Sequence, residues 1–159
     1  MNKLGSCLVG ASGEYYVCAE ICRRGYHAIL GQKNNPLFDV IAVNKDGNKS
    51  VAIQVKTRSP SNNEGWKISS SFALEKHDDL FVVLVNIKES GGCEYYVCKH
   101  SVVADKINQV YRSYMEKPRI DGSAKKDVDF CWINDVDVVK DKLWISMKNN
   151  WDIITDALK

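Results

Sequence analysis

The stretch FDVIAVNKDGNKSVAIQVKT, residues 38–57, decides the fold. Apolar residues dominate 38–44 and 50–56, and Asp46-Gly47 stands between them. An Asp-Gly pair between two such runs is the strongest short-range signal for a β-hairpin. An even-length turn centred on that pair sets Lys45 across from Asn48, Ala42 across from Val51, Val40 across from Ile53 and Phe38 across from Val55. The last three pairs form one apolar face. On the other face Asp39 falls across from Gln54 and Ile41 across from Ala52. Opposed side chains have β-carbons about 4.5–5.5 Å apart. Lys56 lies two residues beyond Gln54 and points to the same side. A one-residue slip would scatter the group, because it turns every side chain over.

A carboxylate, an amide and an ammonium at one end of a strand pair suit metal-assisted phosphodiester chemistry. A hard cation takes oxygen ligands, which Asp39 supplies as a carboxylate and Gln54 as an amide carbonyl. Lys56 is placed to orient or deprotonate the attacking water, or to balance charge on the phosphorus centre. Each residue also has an ordinary role: Asp39 as a turn acceptor after Asn34-Asn35-Pro36, Gln54 as a satisfied buried amide, Lys56 as a cation snorkelling from a strand end. Three together on one expected face shift the balance to a site.

Asp39 followed by Gln54-Val55-Lys56 resembles the PD-(D/E)XK nuclease superfamily, which includes Holliday junction resolvases and many restriction endonucleases. Its usual pattern is an Asp at the start of one strand and (Glu/Asp)-X-Lys on the next. The chain departs twice: no Pro directly precedes Asp39, although Pro36 is close, and Gln54 replaces the acidic residue. Gln at that place is similar to branches related to methylation-dependent restriction enzymes, and it lowers the charge available to a metal. The resemblance implies a restriction-endonuclease-like core, a Mg2+ or Mn2+ cofactor held by Asp39 and Gln54, and DNA as substrate. It covers roughly residues 6–58.

The first helix is expected over residues 4–25. Leu4, Leu8, Ala11, Tyr15, Cys18 and Cys22 recur at steps of three and four and form the expected buried stripe. Gly10 and Gly13 weaken its middle, which leaves Ser12 as an alternative N-cap. Gly25 after Arg23-Arg24 is the stop signal. Glu14 adjoins Tyr15 and so borders that stripe. In the nuclease superfamily this helix often carries a Glu that reaches the metal or its waters, eleven residues before the terminating glycine in resolvase-like members. Glu14 precedes Gly25 by eleven. The resemblance therefore adds Glu14 to the catalytic and metal set, with Glu20 as the competitor expected in solvent.

Composition bounds the rest. At 159 residues, with 45% hydrophobic and 26% charged, the chain reads as one globular domain, a core over 6–116 and an extension over 117–159. No apolar run approaches the roughly 18 residues of a membrane span, and the N-terminus lacks a signal-peptide h-region, so the location expected is cytoplasmic. None of the six cysteines forms a C-x-x-C pair and three histidines are scattered, so free thiols and no zinc are expected. Net charge is only +2, but residues 1–70 hold nine Lys and Arg against five Asp and Glu, leaving thirteen against fifteen beyond. The basic half carries the candidate site, which suits a polyanion. Lys33, Arg58 and Lys67 are candidate backbone contacts. So are Lys125 and Lys126 in the basic loop 117–126.

The expected architecture is α/β, a central mixed β-sheet flanked by helices. Its strands fall near 26–30, 38–44, 50–57, 80–87 and 95–99, with a second helix over 102–116 on the other face. Further short strands are expected at 66–69 and 130–133, and short helices at 71–79, 134–143 and 151–158. Trp132, Trp144 and Trp151 are expected to close the core. The functional expectation is a Mg2+-dependent DNA endonuclease, which as a homodimer would cut both strands. The alternative is a catalytically inactive module of the same fold that binds nucleic acid or a protein partner.

Overall fold

The structure is a computed structural model that describes residues 5–33, 35–74, 77–134 and 142–159. The hairpin is present. β2 (Val40–Val43) and β3 (Ser50–Arg58) pair antiparallel, with Val40 opposite Ile53, Ile41 opposite Ala52 and Ala42 opposite Val51. The register is the one the even-length turn dictates. Asn44 holds that turn: its Oδ1 accepts the N–H groups of Asn48 and Lys49, both at 3.1 Å. Gly47 takes φ of 73°, which a side chain would strain.

A five-stranded mixed sheet grows around this hairpin in the order β1-β2-β3-β5-β6, where β1 is His27–Leu30, β5 Leu80–Ile87 and β6 Cys93–Lys99. β5 runs parallel to β3, with Gln54 opposite Val82, Lys56 opposite Leu84 and Arg58 opposite Asn86. The apolar run LFVVLVNI is the central strand its length requires, buried on both faces from Leu80 to Asn86.

Helix α1 (Ser6–Arg23) covers one face. It ends in a Schellman motif: Gly25, at φ of 87°, donates to the Cys22 carbonyl, and Tyr26 donates to that of Ile21. The buried stripe is Val9, Gly13, Val17 and Ile21, not the one read from the sequence. Leu8 and Tyr15 are 62% and 63% exposed, and Cys22 is exposed as well. The correction has one cause. Gly13 counts as a helix breaker in a hydrophobic pattern, yet here it is a contact. A Cβ on Gly13 would lie 1.8 Å from Thr57 Oγ1 and 2.9 Å from Thr57 Cβ. Only a glycine lets α1 lie this close to β3, and that approach buries the face nearly opposite the expected one.

The other face is covered by helix α2 (His100–Met115), through Val103 and Ile107, and by a second sheet of two strands. β4 (Trp66–Ser69) and β7 (Phe130–Ile133) pair antiparallel with Trp66 opposite Ile133 and Lys67 opposite Trp132. Trp66, Ile68, Cys131 and Ile133 face inward and are buried. Trp132 therefore points outward and belongs to neither core cluster, a correction to its expected role. Trp144 in α3 (Lys142–Met147) and Trp151 before α4 (Asp152–Ala157) do close the two clusters, at 1% and 2% exposure. Of the helix expected over 71–79, the described residues form a 3-10 turn at Ser70–Ala73, with 75 and 76 outside the described residues, and the helix expected over 134–143 falls mostly on residues 135–141, also outside them. All six cysteines are free thiols. Among the described residues no helix is long and apolar enough to cross a membrane.

Candidate active site

The alternation of β3 builds the site. Ile53 and Val55 enter the cluster under α1. Gln54 and Lys56 line a cleft of about 330 Å³ together with Leu37, Phe72, His77 and His100. Lys56 also borders a larger cleft of about 750 Å³, walled by Arg58, Lys67, Trp132 and the loop 59–64. One lysine thus stands where two clefts meet.

Asp39 lies one residue beyond the β2–β3 ladder. Its backbone N–H donates to the carbonyl of Ile53 at 2.9 Å, the residue already opposite Val40. Its carboxylate Oδ2 accepts the N–H of Val55 at 2.7 Å. Backbone and side chain together clasp the two neighbours of Gln54. Strict opposition of Asp39 and Gln54 gives way to this clasp, which pins the carboxylate to the strand that carries Gln54 and Lys56.

The electrostatics tie Glu14 to the same place. Glu14 adjoins the buried Gly13, and its carboxyl is raised above the ordinary 4.5 by burial and then by the negative charge of Asp39. Burial holds the Lys56 ammonium below 10.5, and the Asp39 charge partly opposes that shift. Asp39 therefore acts on both. Glu20 is committed elsewhere, to Arg24 and, at 2.9 Å, to Arg23.

The expected phosphate contacts divide. Lys67 is exposed and lines the larger cleft, with Nζ 3.9 Å from the centre of the Phe130 ring. Arg58 reaches the same cleft but is buried. Its Nε donates to Asn86 Oδ1 at 2.8 Å, and its guanidinium lies 4.8 Å over Trp66. It braces the wall, as a desolvated cation with a satisfied donor does. Lys33, Lys125 and Lys126 line neither cleft, and Lys125 sits over Tyr114 at 4.1 Å. Asn86 was missed by sequence reasoning, and the one signal for it was an amide inside the run LFVVLVNI. His77 and His100 were also missed. His100 Nδ1 accepts the His77 N–H at 3.4 Å, and burial, then the neighbouring His77, lowers its affinity for a proton.

A carboxyl raised by burial and then by a neighbouring negative charge, as Glu14 is beside Asp39, favours a cation nearby. Asp39, Glu14 and the Gln54 carbonyl are all oxygen donors of the kind Mg2+ or Mn2+ takes. The donor set fits such an ion, with an amide where a third carboxylate would bind more tightly. Among the described residues no three His, Cys, Asp or Glu side chains gather as a metal site.

A five-stranded mixed sheet entered through a helix and a hairpin, with a charged cluster at the hairpin's end, makes this an α/β fold. Among solved structures it is similar to that of a bacterial homing endonuclease, I-Ssp6803I, with a TM-score of 0.56 over 96% of this chain and 95% of that one. Sequence identity is 10%, so the likeness is one of fold. No protein-family model and no curated protein matches the chain.

Proposed function

We propose that the protein is a metal-dependent DNA endonuclease of the PD-(D/E)XK type. The observation that carries the reading is the clasp of Asp39 on the strand of Gln54 and Lys56, with Asp39 charge acting on Glu14 and on Lys56. The shared fold of a homing endonuclease supports it. In this reading Asp39, Glu14 and Gln54 hold Mg2+ or Mn2+, which when bound offsets phosphate charge and acidifies water. Lys56, as the neutral amine that burial favours, takes the proton from the attacking water and becomes the ammonium. The water oxygen forms a bond to phosphorus, the bond to the leaving nucleoside oxygen breaks, and that oxygen takes a proton from solvent. Asp39, pinned through Val55, keeps the strand from shifting as charge develops, and such positioning is most of what phosphoryl transfer needs. The reading takes the chain as a single domain, which the place of Trp151, Ile154 and Leu158 in the cluster under α1 supports. A homodimer would bring the two sites that cutting both strands requires.

Supercoiled plasmid incubated with the protein and Mg2+ or Mn2+ tests this. Nicking or linearisation is expected from wild type. Lys56→Ala should not cut but should still bind DNA, and Asp39→Ala should lose metal binding and cutting together. Cutting by Lys56→Ala at the wild-type rate would refute the assignment. The second reading, an inactive module that binds nucleic acid or a protein, draws on the neutral Gln54. It expects shifted DNA mobility and intact plasmid.

A further inference from the structure

The outer face of the β4–β7 ribbon carries an arrangement that cleavage does not use. Along both strands alternate residues are buried, which leaves Lys67, Ser69, Phe130 and Trp132 on the outer side. Lys67 is directly opposite Trp132 in register, and its Nζ lies 3.9 Å from the Phe130 ring centre. Phe130 and Trp132 meet edge to face at 6.0 Å. The chain has four tryptophans; Trp66, Trp144 and Trp151 are 1–2% exposed, and Trp132 alone stands outside the core. Leaving a half-buried tryptophan on a sheet surface gives up burial that would stabilise the fold.

Trp132 also borders the larger cleft, which runs to Lys56. The charged side chains lining that cleft are Lys56, Arg58 and Lys67 against the single carboxylate of Glu64. A cationic groove that ends on an aromatic surface fits a polyanion with flat faces. We propose that this ribbon is a base-stacking platform for single-stranded or locally unpaired nucleic acid: the sugar-phosphate backbone follows the cleft from Lys56 towards Lys67, and one unpaired base stacks on Trp132. Every base offers a π-face, so such a platform tolerates sequence. A base within a duplex is already stacked and cannot reach it. The proposal rests on the nuclease reading for its ligand class and extends it from DNA in general to DNA with an unpaired segment next to the cut.

The test is made without divalent metal, so it does not depend on cleavage. Wild-type protein is titrated with an oligothymidylate of about 16 nucleotides and with a duplex of matched length, and tryptophan emission is followed. The single strand is expected to quench Trp132 and shield it from acrylamide, and to bind more tightly than the duplex. Trp132→Ala should weaken single-strand binding about tenfold to a hundredfold. Trp132→Phe, which keeps a ring and the ribbon's packing, should retain most of the affinity. Lys67→Ala should flatten the salt dependence by about one counterion. Unchanged emission on binding, or equal affinity of Trp132→Ala, would overturn the platform even if plasmid is cut. Concentration-dependent sedimentation that disappears in Trp132→Phe would overturn it in favour of a protein interface. Quenching without plasmid cutting would support the platform and refute the endonuclease.

Discussion

Replacing Gly13 with alanine tests how the helix brings Glu14 to the site. The new Cβ would stand 1.8 Å from Thr57 Oγ1 and 2.9 Å from both Thr57 Cβ and Cγ2. Rotating the threonine relieves the first contact, but its Cβ stays too close, because carbon atoms rest at about 3.5–4.0 Å. The helix must therefore lift from β3 by roughly 0.5 Å at least, and by more if Thr57 does not turn. Overpacking of this kind costs about 1–3 kcal/mol. Alanine in place of glycine in a helix gives back about 1 kcal/mol. The net loss is then between zero and about 2 kcal/mol, which for a chain of this size lowers Tm by up to roughly 8 °C. Activity should fall further than stability. Glu14 follows Gly13 and moves with it, and a displacement near 1 Å at a catalytic group costs up to about a hundredfold in rate. Thermal melts and initial cutting rates are measured for Gly13→Ala, Thr57→Ala and the double variant. Thr57→Ala alone should be nearly neutral, because Thr57 Oγ1 is buried without a hydrogen-bond partner and its loss leaves nothing unpaired. The double variant should recover part of both losses. A Gly13→Ala protein with unchanged melting and unchanged rate would refute the close approach and the placing of Glu14 that depends on it.

Two further substitutions probe the charges. Gln54→Glu adds a carboxylate beside Asp39; it should melt below wild type in chelator and gain more from added Mg2+, and a variant that gains nothing from Mg2+ in calorimetric titration would count against the metal site. Glu14→Gln should raise the melting temperature at neutral pH while reducing cutting, a trade of stability for function. The sign follows from the raised carboxyl: its contribution to folding is present below the ordinary 4.5 and lost as pH rises through the higher folded value, so the gain from Gln should vanish in melts near pH 4 and grow as pH rises.

What the sequence made legible was local. Asp46-Gly47 and the apolar runs beside it lie within one hairpin, so the turn sets the register and the register sets the faces. The end of α1 was legible for the same reason, since Gly25 is a terminator by itself. The face of α1 was not. Hydrophobic periodicity scores side chains, and the contact that orients this helix is the absence of one at Gly13 against Thr57. Glu14 is marked by its distance from the helix end, which does not depend on which face is buried. Contacts distant in sequence were the least legible. The pairing of Trp66 with Ile133 joins strands by hydrogen bonds that leave no mark on either segment, and it alone decides that Trp132 faces out and Cys131 faces in. The parallel register of β3 with β5 likewise sets Arg58 beside Asn86, which turns an expected phosphate contact into a brace of the cleft wall. The proposed catalytic cluster and the aromatic ribbon therefore rest on different kinds of information. A hairpin carries its own site, whereas a groove between two sheets exists only after the chain has closed on itself. Variants that loosen the β4–β7 pairing should accordingly lose the cleft wall and the stacking face while leaving Asp39 pinned to Val55.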